Sequence, residues 1–318
     1  MKENNLAPIV LFVYKRPDHT KKVLESLVQN KEAKYATLYV FADGAKNEND
    51  SIEKQYIESV KETVNSFQNN FQSFKLIERE NNWGLANNII DGISTVINKH
   101  QKVIVLEDDI VVSKGFLKYM NEALFMYENS ANVATIQGFQ FPIKFNKKVN
   151  TYFDFAVGCW GWATWKNRWD LFEPNAEKLW NEINNNFSWK KFDLENSYHF
   201  KEMLEDKITS KNNSWAIRWY ASLFINNRIN LYPTKSLTIN IGNDGSGNHK
   251  DKNNTSNYPI VNQIELAKID TKLSFAAIKK VILYRKKQLF IKKMHNQFTK
   301  FKINILHKIL NGKSNNKL

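Results

Sequence analysis

Short apolar runs alternate with amphipathic segments through the first 137 residues, and this alternation constrains the fold more than any other feature of the sequence. The runs are rich in β-branched and aromatic residues and are bounded by turn residues, which is typical of buried strands. They occupy residues 9–14, 37–42, 74–77, 103–106 and 133–137. The segments between them carry apolar residues at helical spacing. The alternation predicts an α/β fold with an open, mostly parallel sheet and helices on both faces.

Polar side chains follow three of the predicted strands at the point where each strand ends. Lys15 and Arg16 follow the first strand, Asp43 follows the second, and an acidic triplet at 107–109 follows the fourth. Ligands of such sheets bind at the carboxyl ends of the strands, so we expect these side chains to converge. The chain has neither the GxGxxG pattern of dinucleotide-binding folds nor the GxxxxGK[ST] pattern of P-loops. The sequence therefore does not support membership of either nucleotide-binding class.

The triplet Glu107, Asp108 and Asp109 is costly at a partly desolvated strand end, because like charges repel. A divalent cation removes this cost, since hard oxygen ligands suit Mg²⁺ and Mn²⁺. Such a metal is commonly shared with a diphosphate and neutralises the charge that develops on a phosphate leaving group. The alternative is a solvated turn without metal. The position of the triplet after a buried strand favours the metal.

Asp43 and Arg16 can each be interpreted either as a ligand-binding residue or as a residue with only a local structural role. A carboxylate at a strand end can accept a hydrogen bond from the imide N–H of uracil, but an Asp-Gly sequence also forms turns without any ligand. Arg16 is suited to a phosphate or a base edge, but an arginine at the start of a helix is also often only a solvated charge. The two interpretations stay open for both residues.

Eight of the nine tryptophans lie between Trp160 and Trp219. Apolar sugar faces stack on aromatic rings, but tryptophan is also highly buried on average. We expect one or two of Trp160, Trp162 and Trp215 at an acceptor site and the other tryptophans in the core. The single cysteine, Cys159, excludes an intramolecular disulfide, and we expect it to be a small buried residue and not a nucleophile.

Taken together, these segments resemble the GT-A fold glycosyltransferases, in particular bacterial family 2-type sugar transferases. The matching pieces are VYKRPDHTKKVLESL, FADGA, NNWGLANNIIDGI and VIVLEDDIVVSKGFLKYMNEAL, in the expected order. The EDD triplet is similar to the variant metal motif of the N-acetylglucosaminyltransferase I type. The resemblance spans about residues 7–250. It implies a GT-A fold, a nucleotide-sugar donor and a divalent cofactor, Mn²⁺ or Mg²⁺.

The resemblance also implies roles for individual residues. Asp43 is expected to contact the nucleobase with Arg16 beside it. The residues expected to bind the nucleotide sugar are Arg16, Asp43, Asn82, Trp83, Gly84, Glu107 and Asp108. Asp109 is expected to bind the metal. His249 lies in a glycine-rich loop and is a candidate second ligand for the metal or the diphosphate, with an exposed loop histidine as the alternative.

The catalytic base implied by the resemblance has no acidic residue at its expected position. The family places an acid near the start of the segment 213–220, where this chain has Asn213. An amide cannot accept the proton of the acceptor hydroxyl. Asp206 and Asp244 are the nearest alternative bases, and the sequence does not choose between them. A degenerate, inactive copy is a further alternative.

The basic charge of the chain is concentrated at its C-terminus. Residues 268–318 carry 14 lysines and arginines and one acid, whereas the whole chain has a net charge of +14. Apolar residues recur in this tail at near-helical spacing, at Ile278, Ile282, Leu289, Phe290, Met294, Phe298, Phe301, Ile305 and Ile309. The pattern predicts a basic amphipathic helix over 275–310 that lies on an anionic membrane surface. A nucleic-acid partner is the rival interpretation, and a solvated helix packed on the body is the other alternative.

These features lead to one predicted function. We expect a metal-dependent, inverting hexosyl- or N-acetylhexosaminyltransferase that uses a UDP-linked sugar and a glycan or lipid-linked glycan hydroxyl in bacterial surface polysaccharide synthesis. We expect residues 1–140 to form the nucleotide-sugar-binding half, 141–265 the acceptor-binding and catalytic half, and 266–318 the tail. No signal peptide or transmembrane run is visible, so we expect a cytoplasmic protein on the inner face of the membrane.

Two alternatives to the transferase stay open. A nucleotidyltransferase that makes nucleotide sugars would carry a glycine-rich, basic phosphate loop after the first strand, and VYKRPDHT lacks that glycine cluster. A non-enzymatic membrane- or nucleic-acid-binding protein that acts through its tail would leave the acidic triplet unexplained.

Overall fold

The computed structural model describes residues 6–145, 149–245 and 258–314, with side chains as far as residue 294. Its strands are β1 (Ile9–Val13), β2 (Thr37–Ala42), β3 (Ser73–Glu78), β4 (Lys102–Glu107), β5 (Ile110–Val112), β6 (Val133–Gln137), β7 (Thr151–Asp154), β8 (Trp162–Trp165), β9 (Ile229–Pro233) and β10 (Thr238–Asn240). Its helices are α1 (Pro17–Leu27), α2 (Ser51–Ser66), α3 (Leu85–His100), α4 (Phe116–Tyr127), α5 (Lys166–Trp169), α6 (Ala176–Asn186), α7 (Trp189–Phe192), α8 (Phe200–Ile208), α9 (Trp215–Ile225) and α10 (Phe275–Ser314).

Eight of the strands form one sheet in the order β3-β2-β1-β4-β8-β6-β9-β7. Strands β3, β2, β1 and β4 are parallel, β8 runs antiparallel to both β4 and β6, and β7 runs antiparallel to β9. Strands β5 and β10 form a separate antiparallel pair. The carboxyl ends of β1, β2 and β4 therefore meet at one edge, beside the β5–β10 pair.

Helices cover both faces of this sheet because alternate strand residues point to opposite sides. Ile9 and Leu11 pack with helices α1, α2 and α4. Val10 and Phe12 pack with α3, α5 and α9 on the other face. The predicted open, mostly parallel sheet with helices on both faces is confirmed.

Local sequence signals position the ends of the helices near the site. Pro17 occupies the first turn of α1, where its fixed φ suits a helix start and its missing N–H costs nothing. The Asp50 carboxylate accepts from the backbone N–H of Glu53 and caps α2. Gln101 takes a left-handed conformation with φ 66° and ends α3. These signals are short-range, and they determine where α1 and α2 begin and where α3 ends.

The second half of the chain completes the sheet in a way that the alternation pattern did not predict. Strands β7 and β8 follow each other without a helix between them, and five helices separate β8 from β9, so the order of these strands in the sheet depends on tertiary packing. Helices α6 to α9 build a further core around Leu179, Phe192 and Tyr220. Because β8 pairs with β4, the sheet is continuous across the boundary expected at residue 140. The division into 1–140, 141–265 and 266–318 stays a prediction.

The tail forms the predicted helix, α10, but its apolar residues do not share one face. Ile278 and Val281 are buried against the body, whereas Leu283 and Phe290 are exposed. The apolar residues of α10 are thus divided between the body and the exposed side of the helix. The expectation that the tail is a basic amphipathic helix on an anionic membrane surface stays a prediction. The expected positions from Phe298 onward lie outside the described side chains. Within the described residues, we find no helix with the length and apolarity needed to span a membrane.

Candidate active site

The acidic triplet forms a tight turn between β4 and β5, and Arg16 reaches it from the start of α1. The Arg16 guanidinium forms a close ion pair with Asp108 Oδ1, and its Nε donates to Asp108 Oδ2 at 3.3 Å. Its Nη2 also donates to Asp109 Oδ2 at 3.0 Å. Residues 16, 108 and 109 therefore meet at the carboxyl edge of the sheet although they are far apart in sequence. The plainer interpretation of Arg16 as a solvated charge does not fit these contacts.

One guanidinium faces three carboxylates, so the turn holds an excess of negative charge. Burial, followed by repulsion from the neighbouring Asp109 and Asp108, raises the pKa of Glu107 to about 8 although the Arg16 guanidinium opposes the rise. Burial also raises the pKa of Asp108, although the Arg16 guanidinium opposes the rise. A cation beside Asp109 would relieve this repulsion.

The residues at the turn fit a metal that shares its ligands with a substrate. Within residues 6–145, 149–245 and 258–314, no group of three or more His, Cys, Asp or Glu side chains is arranged to hold a metal ion. Asp109 accepts from Arg16 through Oδ2. Mg²⁺ is commonly bound through one or two carboxylates plus substrate phosphates. The donor set therefore fits a cation held by Asp109 and a diphosphate, and not a closed protein cage.

Asp43 organises the turn that precedes α3. Its carboxylate accepts from the backbone N–H groups of Trp83 at 2.8 Å and Gly84 at 3.0 Å, and from Asn82 Nδ2 at 3.1 Å. Gly84 has φ +74°, which favours glycine. The structure thus brings Asp43 and the turn 82–84 together as expected. It also gives Asp43 a defined role in holding that turn, whether or not a nucleobase is bound.

Two residues that hold the loops at this edge of the sheet were not predicted from the sequence. The Arg79 guanidinium lies over the exposed Trp83 ring, 3.9 Å from its centroid, and Arg79 also pairs with Asp91. Glu53 is buried and accepts from the backbone N–H of Lys46 at 2.9 Å, which holds the loop after Asp43. The capping pattern D-x-x-E at 50–53 was a signal for Glu53, but it predicts a helix cap and not a loop anchor.

The loop after β10 lies directly on the acidic turn. The Ile241 N–H donates to the Asp109 carbonyl at 2.9 Å. A Cβ on Gly242 would lie 2.2 Å from Asp109 Oδ2, so only glycine allows this close approach. Asp244, two residues further on, pairs with His19 Nε2 at 3.2 Å and is half-exposed. Of the two candidate bases, Asp244 therefore lies on the loop that contacts the triplet.

Asp206 lies in a different part of the molecule. It belongs to α8, which packs against α6, α7 and α9, and its carboxylate is 3.5 Å from Lys211 Nζ. None of its described contacts joins it to the acidic turn. Asn213 is exposed just before α9. His249 lies outside the described residues.

The candidate acceptor tryptophans differ in burial. Trp162 and Trp215 are buried and stack on each other with ring centroids 5.7 Å apart, so neither ring offers a face to a ligand in this structure. The packing interpretation fits both of them, which leaves Trp160 as the acceptor candidate. Trp160 is half-buried and meets Phe139 edge-on at 4.5 Å. Burial raises the pKa of Cys159 far above its ordinary value, which disfavours the thiolate that a nucleophile needs.

Comparison with known proteins settles the class of the chain. The model of the family described as "Glycosyl transferase family 2" matches residues 9–220. The chain belongs to glycosyl transferase family 2. Its fold is accordingly the GT-A fold, and the expected enzyme class, a glycosyltransferase, is confirmed. No curated protein matches the sequence.

Solved structures show distant likeness to this family 2 glycosyltransferase. TarS of S. aureus is 14% identical with a TM-score of 0.31, over 41% of this chain and 21% of TarS. The mannosyltransferase PcManGT of Pyrobaculum calidifontis, in complex with GDP-Man and Mn²⁺, is 8% identical with a TM-score of 0.37, over 70% and 68%. A UDP-glucose pyrophosphorylase complexed with UDP-glucose is 10% identical with a TM-score of 0.38, over 74% and 93%. The chain thus spans about a fifth of the length of TarS.

Proposed function

We propose that this family 2 glycosyltransferase moves a hexosyl or N-acetylhexosaminyl group from a UDP-linked donor to the hydroxyl of a glycan or lipid-linked glycan, with inversion at the anomeric carbon. The observation that carries the proposal is the meeting of Arg16 with Asp108 and Asp109 at the edge where β1, β2 and β4 end. Ligands of open α/β sheets bind at this edge. An excess of carboxylates there favours a diphosphate that arrives with a divalent cation.

The proposed donor site uses both loops at this edge. Asp43 and the turn 82–84 bind the nucleotide, and the face of the Trp83 ring that Arg79 does not cover offers a surface for stacking. Glu107 and Asp108 face the ribose and the donor sugar. Asp109 would hold Mn²⁺ or Mg²⁺, which would supply positive charge against the departing diphosphate. Arg16 already neutralises part of the acidic turn and is positioned to pair with a phosphate.

Asp244 is the proposed catalytic base, and Trp160 the proposed acceptor contact. A carboxylate can accept the proton of the attacking hydroxyl as its oxygen bonds to the anomeric carbon, and the electron pair of the breaking bond then leaves with the diphosphate. Asp244 is supported by its place on the loop that contacts Asp109. Asp206 has no such support. His19, which pairs with Asp244, would orient the carboxylate.

We place the enzyme in bacterial surface polysaccharide synthesis, on the cytoplasmic side of the membrane. A lysine- and asparagine-rich composition supports a bacterial source. The neutral body and basic tail favour a partner for the tail and not a nucleic-acid-binding body. No nucleic acid takes part in the proposed reaction.

A melting experiment with a nucleotide panel tests the proposal. UDP, GDP, CMP, dTDP and ADP are each added with Mn²⁺ and with EDTA, to the full chain and to the Asp109→Ala variant. We expect UDP to raise the melting temperature of the wild type with Mn²⁺ only, and Asp109→Ala to lose this shift while it melts normally without ligand. If no nucleotide shifts the wild type, the donor site is refuted. If GDP or another nucleotide replaces UDP, only the nucleobase assignment fails.

A further inference from the structure

The side of α10 that points away from the body carries an exposed apolar stripe. Ala276, Leu283, Phe290 and Met294 follow one another at helical spacing, within about 20° of a single line along the helix. Leu283 is 56% exposed, Phe290 64% and Met294 40%. Large apolar side chains aligned and exposed in this way mark an interaction surface. We call these four residues the apolar stripe.

Exposed lysines flank the apolar stripe on both sides. Lys279 and Lys286 lie on one side, and Lys280 and Lys287 on the other, at about 40–60° from the stripe. Lys280 Nζ donates to the Lys144 carbonyl at 2.9 Å, so its ammonium group is held at the body and Lys287 supplies the free charge on that side. Lysine side chains such as Lys279, Lys286 and Lys287 extend their ammonium groups outward while their methylene stems lie along apolar surface. The outward face is therefore apolar at its centre and cationic at both edges.

The opposite face of α10 is already used by the body. Ala277, Ile278 and Val281 are buried. Tyr284 contacts the Phe141 ring at 5.3 Å between centroids. The helix is therefore held against the body by one face. No contact in the described part of the chain covers the apolar stripe.

We propose that this outward face of α10 docks on an anionic lipid leaflet. The charge points to the partner, because residues 268–318 carry 14 basic residues and one acid. The apolar stripe favours lipid over nucleic acid as the partner. The phosphates of a nucleic acid would pair with the lysines, but Leu283 and Phe290 would stay exposed to water. A leaflet uses both features, since the apolar side chains enter the acyl boundary and the ammonium groups meet the lipid phosphates.

Docking in this orientation has a consequence for the acceptor, which rests on the proposed function. A chain of ring contacts joins α10 to the candidate acceptor residue, from Tyr284 through Phe141 and Phe139 to Trp160. The helix that meets the leaflet thus stands in a fixed relation to the turn that would receive the acceptor. An acceptor carried on a membrane lipid would be presented at that turn, so we assign the acceptor to the lipid-linked class.

Vesicle binding by the full chain tests the docking. The probes are vesicles of phosphatidylcholine alone and of phosphatidylcholine with phosphatidylglycerol, and binding is measured by co-flotation at low and high salt. We expect binding to the anionic vesicles only. The double variant Leu283→Ser with Phe290→Ser should weaken it by about ten-fold or more. Each Lys→Gln change at 279, 286 or 287 should weaken it by about five-fold.

Phe125→Ser is the matched control, because Phe125 is 69% exposed but belongs to α4 and not to α10. It should bind vesicles like the wild type, and circular dichroism should show that all variants stay folded. Equal loss in Phe125→Ser and the stripe variant, no binding to anionic vesicles, or binding only to duplex DNA would overturn the docking. Turnover on a soluble acceptor is measured separately. Its absence would count against the proposed function, and the stripe variant should leave it unchanged.

Discussion

Replacement of Gly242 by alanine would place a methyl group inside the acidic turn. The new Cβ would lie 2.2 Å from Asp109 Oδ2, 2.9 Å from Asp109 Cγ and 3.0 Å from Arg16 Nη1. The backbones cannot easily separate, because Ile241 donates to the Asp109 carbonyl at 2.9 Å and β10 pairs with β5 just before it. The Asp109 carboxylate must therefore move by about 1 Å to reach a normal contact distance. This movement breaks its 3.0 Å hydrogen bond from Arg16.

A shift of about 1 Å at a group that positions a reacting substrate costs about 100-fold in rate. We therefore expect kcat/KM of Gly242→Ala to fall about 100-fold, which is about 3 kcal/mol in the barrier. Overpacking should lower the free energy of unfolding by about 1–3 kcal/mol, so the protein stays folded. The assay is release of nucleoside diphosphate from the donor, alongside urea unfolding of the same preparation.

Gly245→Ala is the control for loop strain. Gly245 has φ +95°, so alanine strains the same loop, but its Cβ meets no described atom within 4 Å. We expect Gly245→Ala to lower stability with a much smaller effect on turnover. Wild-type turnover in Gly242→Ala, or an equal loss in both variants, would refute the argument from contact with Asp109.

Three further predictions follow from the described contacts. Asp43→Asn removes the charge that the turn 82–84 donates to, so urea unfolding should show a loss of about 2 kcal/mol and UDP should bind more weakly. Glu53→Gln weakens the bond from Lys15 Nζ, which is 2.8 Å long in the wild type, and should likewise lower the free energy of unfolding by about 2 kcal/mol, as urea melts at neutral pH would show. Burial raises the pKa of Asp154 to about 6, so the folded state holds this proton more tightly than the unfolded chain does. The free energy of unfolding should therefore fall by up to about 3 kcal/mol as the pH rises from about 4 to above 6, and Asp154→Asn should remove this fall in urea melts across that range.

The first half of the fold was predictable from the sequence because its information is local. The apolar strand at 9–14 and the helix start at Pro17 are adjacent, so pattern and turn chemistry predict both and place Arg16 at the strand end. The convergence of Arg16 with Asp109 was also predictable, because the carboxyl ends of parallel strands lie at the same edge of the sheet.

The features that could not be predicted from the sequence depend on contacts between distant segments. The pairing of β10 with β5 brings Gly242 onto Asp109 across more than 100 residues, and no spacing in the sequence predicts it. The tryptophan pattern could not separate the buried Trp162 from the half-buried Trp160, because the two residues lie in one short segment. In α10, helical spacing predicted the helix but not which apolar residues the body would cover. These features need the packed structure.

The most direct test of the central claim is metal-dependent turnover of the donor by the full chain. Release of UDP from UDP-sugars is measured with Mn²⁺ and with EDTA, for the wild type and for Asp109→Asn. The account predicts release with Mn²⁺ only, and a loss of about 100-fold or more in Asp109→Asn with an unchanged circular dichroism spectrum. Equal release with EDTA, or wild-type release by Asp109→Asn, would contradict the assignment of the acidic turn as the metal and diphosphate site.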